Sequence, residues 1–543
     1  MKHGRGGQEV TTVDSAGATR FTKTETDLLG RTVKYTDELG TQTRTLYDQV
    51  GRVTERWRKL PAATDKKVLG YAYDSFGRAS AWTEFVSATA GRVTTTSYDA
   101  YGRPIETDRP TSTNPIRIVS AYEANTGRLD TRVSSRTTTT YSQSNLDYSL
   151  AGRITQDTET YAWRQYAYDG AGRLVNVAEW PWTSSRSYAF DANSNRCANA
   201  TTCASPTFVY NAGDQLTASP YGSGYTYDTY GNLDTYVKAG GGTVNLDYDS
   251  FDHTVRVDDG TTRVDSVLSP DGRVLRRTVS SPPAVTVTED RWYGYMDGSD
   301  SPAWSQATSG GAYTTYLPDL VVTGTTPSYE VTDPRGTVVG TVTQAGAWAV
   351  GSYPDEYGNV ASVPASRLDW FGSQERFVDH PGLDVTRMGV RMYDPHLGRF
   401  LSQDPVVGGS ANDYDYVNAD PINGSDLGGT YCVTGVKWRS KEPVWNKAKH
   451  RWDYKNVETC NGYREAVRKV VKRVKPIAHI GVFLYKFGTG CAKLAGPMAV
   501  AGGAAGMALA SPEVGAPVGA LFGCLLGGAA NAFTPMPPGQ SIL

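Results

Sequence analysis

Side chains able to do chemistry are scattered through the 543 residues, and few stand at a spacing that indicates a catalytic or metal site. His450, Asp453 and His479 lie in a basic stretch and could be arranged as a nuclease centre. No metal-ligand spacing supports that arrangement, so an exposed histidine is the simpler interpretation. The sequence also has no glycine-rich phosphate loop and no Gly-x-Ser-x-Gly motif. We therefore expect no metal and no cofactor.

The six cysteines are too few for a disulfide-rich scaffold. Cys197 and Cys203 lie in a stretch rich in Ser, Asn and Ala, and their spacing allows a local disulfide. A zinc site would need histidine ligands, and none is near. A disulfide is favoured over zinc, with two unpaired thiols as the alternative. Cys432 and Cys460 flank the basic segment and could form a second pair.

A dense run of motifs occupies residues 370–429. It comprises Trp370-Phe371-Gly372-Ser373-Gln374-Glu375-Arg376, Gly389-Val390-Arg391-Met392-Tyr393-Asp394-Pro395, Gly398-Arg399-Phe400-Leu401-Ser402-Gln403-Asp404-Pro405, Tyr414-Asp415-Tyr416-Val417-Asn418-Ala419-Asp420-Pro421, and Asp426-Leu427-Gly428-Gly429. Taken alone, Asp404 and Asp426 are residues that begin turns, as aspartate often does.

The elements that must position these motifs precede them and are built from one repeated unit, Tyr-Asp-x-x-Gly-Arg. Copies stand mostly 20–26 residues apart. Strict copies begin at Tyr47, Tyr73, Tyr98 and Tyr168, and looser ones at Asp27, Tyr148 and Tyr227. Asp-x-x-Gly matches a type I turn in which the carboxylate accepts backbone amides and Gly takes a positive φ. Tyr then ends one strand and Arg begins the next, close enough for the guanidinium to stack on the ring.

The amino-acid composition agrees with a β-sheet that has one solvent-exposed face. Tyr (34) far outnumbers Phe (13), Gly is abundant (58), and segments such as 51–57 alternate apolar and polar residues. Each unit of about 20 residues holds two short strands, and tandem units extend one sheet. The sequence therefore predicts a mainly β fold.

The unit resembles the YD repeat of the Rhs (rearrangement hot spot) family, which is related to teneurins and to the C component of Tc toxins. Family members wind such hairpins into a hollow β-cocoon around a C-terminal cargo domain. Residues 370–429 resemble the Rhs repeat-associated core. The resemblance implies a spiralling antiparallel β-shell over 1–320, complete or incomplete, closed by a core over 321–429.

In the family, the core plugs the cocoon, and in many members it cuts its own chain by aspartyl-type hydrolysis. Asp404 and Asp426 match the two aspartates of the motifs, and Arg399 matches the arginine that would orient them or offset their charge. Such a pair shares a proton because two close carboxylates cannot both ionise. The implied scissile bond is near Thr430-Tyr431. Leu427 and Thr430 depart from the family pattern, which has Pro and Leu there, and Met392 replaces an aromatic residue.

The tail changes character twice. Residues 430–476 are basic and aromatic, and Val467, Val470, Val471 and Val474 draw an apolar stripe that predicts a helix over Tyr463–Lys475. The other faces carry Arg468, Lys469, Lys472 and Arg473, among other basic residues, and Pro476 ends the helix. Such a helix can lie on anionic lipid or nucleic acid, or can pack its valines on a protein partner.

Residues 477–543 are rich in Gly and Ala. Gly515, Gly519, Gly523 and Gly527 recur at every fourth residue, a spacing that lets helices pack closely in lipid. We expect a glycine-zipper helical hairpin, and so a small, mostly α-helical C-terminal domain. Two interpretations stay open, a hairpin that inserts into a membrane and one packed in a soluble fold.

Charge separates the two parts of the chain. The net charge is -2, with 54 basic and 56 acidic residues. Residues 1–429 hold 39 of the basic and 51 of the acidic residues, and the remainder hold 15 and 5. A basic tail within an acidic enclosure agrees with an Rhs shell and its cargo.

The first functional hypothesis is therefore a polymorphic-toxin shell that encloses its own tail and releases it by autoproteolysis, the tail acting on membrane lipid. The alternatives are a non-toxic cell-surface or secreted binding shell, and a nuclease toxin. Nucleic acid is the less favoured partner, and an immunity protein is expected for a toxin. We expect a secreted, surface or delivered protein, although the first residues contain no apolar signal-peptide core.

Overall fold

The computed structural model describes residues 6–430, 437–446 and 451–460, apart from residues 62, 86–90, 160–162, 182–183, 198–206, 284–285, 318, 352–353, 360–376, 379–381, 384 and 407–409. The chain divides into two compact units, Met1–Val433 and Thr434–Leu543. The first unit contains the repeats and the core motifs.

The first sheet has sixteen antiparallel strands that follow one another in chain order. They are β1 (Gly6–Val13), β2 (Thr19–Thr26), β3 (Thr32–Thr36), β4 (Gln42–Tyr47), β5 (Val53–Lys59), β6 (Lys66–Tyr73), β7 (Ala79–Phe85), β8 (Gly91–Tyr98), β9 (Pro104–Arg109), β10 (Ile116–Tyr122), β11 (Leu129–Arg136), β12 (Thr139–Tyr148), β13 (Ile154–Glu159), β14 (Trp163–Tyr168), β15 (Leu174–Trp180) and β16 (Ser184–Ser187).

The second sheet repeats this plan with fifteen strands, again in chain order. They are β17 (Val209–Tyr210), β18 (Leu216–Ser219), β19 (Gly222–Tyr227), β20 (Leu233–Lys238), β21 (Thr243–Tyr248), β22 (Thr254–Asp258), β23 (Arg263–Leu268), β24 (Val274–Ser281), β25 (Thr286–Gly294), β26 (Trp304–Ala307), β27 (Thr314–Leu317), β28 (Leu320–Thr323), β29 (Thr326–Thr332), β30 (Val338–Thr343) and β31 (Trp348–Val350).

The core motifs form a smaller sheet of β32 (Phe377–Val378), β33 (Thr386–Met388), β34 (Arg391–Asp394) and β35 (Arg399–Phe400). Helix in the described residues is limited to a 3-10 turn at Val417–Ala419. The prediction of a mainly β, antiparallel fold is therefore confirmed for the repeats and the core.

The repeated turn has the predicted geometry. Asp48 Oδ1 accepts the backbone N–H groups of Val50 at 3.1 Å and Arg52 at 2.8 Å, while Gly51 has φ +92°. Asp48 Oδ2 accepts Nε of Arg52 at 2.7 Å. The same three contacts recur in the turns that begin at Asp27, Asp74, Asp99 and Asp169.

The repeat arginine stacks on the Tyr that ends the strand of the next hairpin, and not on the first Tyr of its own motif as the sequence suggested. The guanidinium of Arg52 lies over the ring of Tyr73, 4.5 Å from its centroid, and Arg31 lies at the same distance over Tyr47. Tyr73 also donates its hydroxyl to the carbonyl of Val53, at 2.6 Å. The edge of the Arg52 guanidinium donates to the aspartate of its own turn. The flat face of the guanidinium is therefore available to contact the ring of the next hairpin. The stack thus joins neighbouring hairpins, at about 0.5–1 kcal/mol each for exposed pairs.

The two large sheets and the core pack on one another. Ile116 and Tyr141 of the first sheet share an apolar cluster with Tyr329 and Val342 of the second. Met392 of the core lies in a cluster with strands of the second sheet. The core is therefore held by the repeat-built sheets, and this packing positions its motifs.

The described part of the tail is a hairpin of β36 (Lys437–Asn446) and β37 (Arg451–Cys460), paired from Lys437 with Cys460 to Asn446 with Arg451. Part of the basic segment is thus strand. The helix expected at Tyr463–Lys475 and the hairpin expected over 477–543 lie outside the described residues. Among the described residues, no helix has the length and apolar character needed to cross a membrane.

Cys197 is disulfide-bonded and buried. This agrees with the disulfide expected at that position, although the expected partner, Cys203, lies outside the described residues. Cys432 also lies outside them.

Candidate functional site

Arg391 is the central residue of the candidate site. It is the first residue of β34, directly after the Gly389-Val390 turn from β33, and its side chain is 1% exposed. Nη2 donates to Oδ2 of both Asp404 and Asp426, at 2.9 Å each. One guanidinium nitrogen therefore joins the two aspartates that the core motif indicated.

The other nitrogens of Arg391 bind the main chain. Nε donates to the carbonyl of Gly429 at 2.7 Å, and Nη1 donates to the carbonyl of Asp413 at 3.1 Å. The carbon of the guanidinium lies 3.5 Å from the ring centroid of Phe400, on the neighbouring strand β35. These contacts hold the guanidinium plane in one orientation.

Asp404 is buried and anchored by its own turn. Oδ1 accepts the N–H of Val406 at 2.8 Å, and the backbone N–H of Asp404 donates to the carbonyl of Asp413 at 2.8 Å. Its other oxygen, Oδ2, is the one that Arg391 contacts.

Asp426 begins a turn that follows the repeat pattern. Oδ1 accepts the N–H of Thr430, four residues on, at 2.9 Å, and Gly429 has φ +63°. In the repeats, an arginine fills the place of Thr430 and covers the aspartate of its own turn. Here Arg391 supplies the guanidinium from another strand. The site is thus a repeat turn whose arginine comes from elsewhere in the fold.

The strand ends around this turn are closely packed. A Cβ on Gly429 would overlap the carbonyl oxygen of Met388 and would lie 3.0 Å from the backbone nitrogen of Arg391. A Cβ on Gly389, which has φ +54°, would overlap the carbonyl of Gly428. Residues 428–430 therefore lie directly against the β33–β34 turn.

The charges of the site are almost fully removed from water. Burial lowers the pKa of Arg391, and the negative charges of Asp404 and Asp426 oppose that shift. Two carboxyl groups face one guanidinium, so the cluster carries an excess negative charge if both are ionised.

Arg399, the arginine that the motif indicated, does not lie between the aspartates. Its Nη2 donates to the carbonyl of Asp214 at 2.7 Å, and its guanidinium lies over the rings of Tyr210 and Tyr414. It also lowers the pKa of the buried Asp415, although burial dominates and raises that pKa to about 7. Arg399 thus ties the core to the second sheet.

The sequence does not distinguish Arg391 from Arg399, because both arginines stand in core motifs and either could face the aspartates. Asp394 of β34 pairs with Arg399 of β35, so the two arginines lie on adjacent strands. Only the packing of those strands decides which guanidinium reaches the aspartates. The position of Arg391 in the Gly-Val-Arg-Met-Tyr-Asp-Pro motif, 13 residues before Asp404, is the sequence feature that marks it as a candidate partner of that aspartate.

The remaining predicted site residues are in the part of the tail that the structure does not describe. Arg468, Lys469, Lys472, Arg473, Gly515, Gly519, Gly523 and Gly527 all lie outside the described residues. Within the described part of the chain, no group of three or more His, Cys, Asp or Glu side chains could hold a metal ion.

Comparison with solved structures gives the fold. The chain matches the crystal structure of TcdB2-TccC3-TEV with a TM-score of 0.54 and 16% identity, over 76% of this chain and 21% of that one. It matches the Tc holotoxin pore of Photorhabdus luminescens, which carries a mutation in TccC3, with a TM-score of 0.55 and 16% identity, over the same shares of the two chains. No family model matches the chain.

Among curated proteins, the chain is similar to the double-stranded DNA deaminase toxin A of Burkholderia cenocepacia strain H111. The two are 27% identical over an alignment of 330 residues, and the match covers 50% of this chain and 23% of that protein. The chain therefore spans less than a quarter of the length of each of these three proteins. The repeats, the core motifs and the fold shared with the TccC3 structures confirm the expected resemblance, and the chain has the Rhs/YD-repeat shell fold.

Proposed function

We propose that this chain is the shell of an Rhs-type toxin that carries its own C-terminal segment and releases it by cutting the chain next to residue 430. The observation behind this proposal is that Arg391 joins two buried aspartates, Asp404 and Asp426, beside the last residues of the core. A relative described as a toxin and the fold shared with Tc toxin structures support the shell role.

The chemistry follows from the two carboxyl groups. If they share one proton, the ionised group activates water and the protonated group supplies a proton to the leaving nitrogen. Arg391 stabilises negative charge that develops on the attacked carbonyl. The core motif indicates Thr430-Tyr431 as the bond, and Tyr431 lies outside the described residues.

The proposal is tested by expressing the full chain with Asp404→Asn or Asp426→Asn and following the size of the product. We expect wild type to separate into shell and tail and both variants to stay at full length. Asp413→Asn is the matched control because that side chain is exposed while its carbonyl, which the change keeps, binds Arg391. Equal fragmentation of all four proteins would contradict self-cleavage at this site.

For the released segment we propose an action on lipid membranes. The supporting features are its basic residues, Arg468, Lys469, Lys472 and Arg473, and the glycines repeated at every fourth residue from Gly515 to Gly527. The test is leakage of anionic liposomes on addition of the cleaved protein, with the Asp404→Asn protein as the uncleaved control. If neither the cleaved protein nor the uncleaved control causes leakage, the membrane action is contradicted and the non-toxic binding shell becomes the favoured function.

The deaminase relative does not favour a nucleic-acid-directed tail. Zinc deaminases carry a His-x-Glu and a Pro-Cys-x-x-Cys signature. Neither occurs in residues 430–543, where His450 precedes Arg451-Trp452 and His479 precedes Ile480-Gly481. We therefore assign that likeness to the shell. A nuclease tail would be indicated by degradation of DNA or RNA by the cleaved protein.

A further inference from the structure

Arginines of the first sheet reach across to the second sheet at several points. Arg92 and Arg109 each donate to a backbone carbonyl in or next to β29, at 3.1 Å and 2.8 Å. Arg58, in β5, donates from Nη2 to the Oγ1 atom of Thr315 in β27 at 3.1 Å. These guanidinium groups bring positive charge to the place where the two sheets meet.

The arginines differ in their counter-charges. Arg92 pairs with Glu84 at 2.7 Å, and Arg109 pairs with Asp319. Among the described residues, the guanidinium of Arg58 makes one hydrogen bond, to an uncharged hydroxyl, and no ion pair. Arg58 is therefore a cation at the sheet interface without the carboxylate that accompanies its neighbours.

The adjacent strand adds a second positive charge. Arg58 of β5 lies directly opposite Lys66 of β6 in the antiparallel ladder. Like charges at opposed positions of such a ladder destabilise it. An anion bound between the two side chains would remove that repulsion.

The pKa of Arg58 agrees with the missing counter-charge. Burial lowers the pKa of Arg58 to about 10, and Tyr313 opposes the shift. At Arg132, which also contacts the second sheet, the carboxylates of Asp319 and Asp333 oppose the lowering by burial. The surroundings of Arg58 thus disfavour its charge without the compensation that Arg132 receives.

A cavity of about 220 Å³ lies beside these two cations. Arg58 and Lys66 line it from the first sheet, together with the ring of Phe85. Leu317 and Val322 line it from the second sheet. Lys66 is exposed, so the cavity reaches solvent on that side. The cavity therefore combines a cationic end with an apolar wall.

We propose that this cavity binds a small organic carboxylate, whose head group contacts Arg58 and Lys66 and whose hydrocarbon part contacts the apolar wall. A guanidinium holds a carboxylate through two parallel hydrogen bonds. Cavities for drug-sized ligands have about 300–1,000 Å³, so this smaller one suits a short acid. Glu84 also lines the cavity, and because Arg92 matches its charge, the site keeps an excess of positive charge.

Binding is tested on the full-length chain with hexanoate as the probe. Broadening of the NMR signals of hexanoate during a titration gives the affinity. We expect saturable binding with a Kd on the order of 1 mM or below. The unfolding temperature should rise with hexanoate concentration, because the ligand contacts both sheets of the folded shell.

Two further probes decide which part of the ligand is recognised. Hexanamide has the same hydrocarbon part without the charge and should bind far more weakly. Equal binding of hexanamide and hexanoate would overturn the proposal, as would the lack of saturable hexanoate binding. Tighter binding of inorganic phosphate than of hexanoate would overturn the assignment to a carboxylate.

Arg58→Met separates binding from packing, because it keeps the apolar stem and removes the cation. We expect hexanoate to bind about tenfold more weakly or worse, with the stability of the ligand-free shell unchanged or increased. Arg44→Met is the matched control, since Arg44 stacks on Trp57 on the opposite face of the same hairpin and should not affect binding. Wild-type affinity in Arg58→Met would overturn the site. So would a loss of stability as large as that of Arg92→Met, because it would assign Arg58 a packing role.

Discussion

Nη2 of Arg391 lies 2.9 Å from Oδ2 of Asp426, and both side chains are almost fully buried, at 1% and 5% exposure. The same nitrogen contacts Asp404 at an equal distance. This relationship makes Arg391 the residue on which the stability of the core and the proposed chemistry both depend.

Replacing Arg391 with Met should destabilise the core and abolish release of the tail. The change leaves two buried carboxyl groups without their cation, and breaking a buried ion pair in this way costs about 3–5 kcal/mol. Chemical denaturation measures the stability. Arg117→Met is the control, because Arg117 is half exposed in its pair with Asp108 and such pairs contribute about 0–1 kcal/mol. Equal losses of unfolding free energy in the two variants would contradict the structural role of the buried Arg391.

The stacking of Arg on Tyr between hairpins can be measured by double-mutant cycles. We expect Arg52→Ala and Tyr73→Leu to be coupled by about 0.5–1 kcal/mol, because the guanidinium lies over that ring. The matched cycle pairs Arg52→Ala with Tyr47→Leu, the tyrosine of the same repeat, and should give a coupling near zero. Stronger coupling within the repeat than between repeats would refute the observed register.

Glycines in the repeat turns should separate backbone strain from crowding. Gly30 has φ +78° and nothing within 4 Å of an added Cβ. Gly30→Ala should therefore lower the free energy of unfolding only by the strain of a left-handed backbone, about 1–2 kcal/mol. Gly152→Ala should cost more, because its Cβ would lie 2.7 Å from Nη2 of Arg128 and displace it from Tyr148. Gly170→Ala is the control, since it has neither a positive φ nor a near neighbour. Chemical denaturation ranks the three, and an equal loss for all would argue against the turn geometry.

Buried carboxyl groups should make the shell less stable as pH rises. Burial raises the pKa of Asp157 to about 7 from an ordinary value of 3.8, and the charge of Glu159 adds to the shift. Oδ1 of Asp157 has no hydrogen-bond partner among the residues that the structure describes, and Ser144 donates to Oδ2 at 3.3 Å. Folding therefore favours the protonated form. This stability is fully present below the unfolded pKa and is lost as pH rises through about 4 to 7.

The measurement for this prediction is the denaturation midpoint at pH 5 and pH 8. Wild type should lose stability between the two values, and Asp157→Asn should lose less because an amide does not ionise. Ser142→Ala is the control, because it changes a buried polar side chain of the same sheet and removes no ionisable group. An identical pH profile for wild type and Asp157→Asn would contradict the assignment.

Local interactions made much of the fold predictable from sequence. The turn Asp48-Gln49-Val50-Gly51-Arg52 closes through contacts between residues two and four apart, so its geometry depends on residue types that can be read directly. The alternation of the strands follows from the same repeats. The aspartates of the candidate site were indicated by their motifs, and the turn at Asp426 follows the repeat pattern.

Contacts between distant residues were not predictable in this way. Arg391 and Arg399 stand in equally recognisable motifs. They have different partners because they lie on adjacent strands: Arg391 contacts the aspartates, whereas Arg399 contacts Tyr210 and Asp214. Likewise, Arg52 could stack on Tyr47 or Tyr73 by composition, and the pairing of neighbouring hairpins selects Tyr73. A turn is determined by chain geometry over a few residues, whereas the partner of a long side chain depends on which strand the packing places beside it.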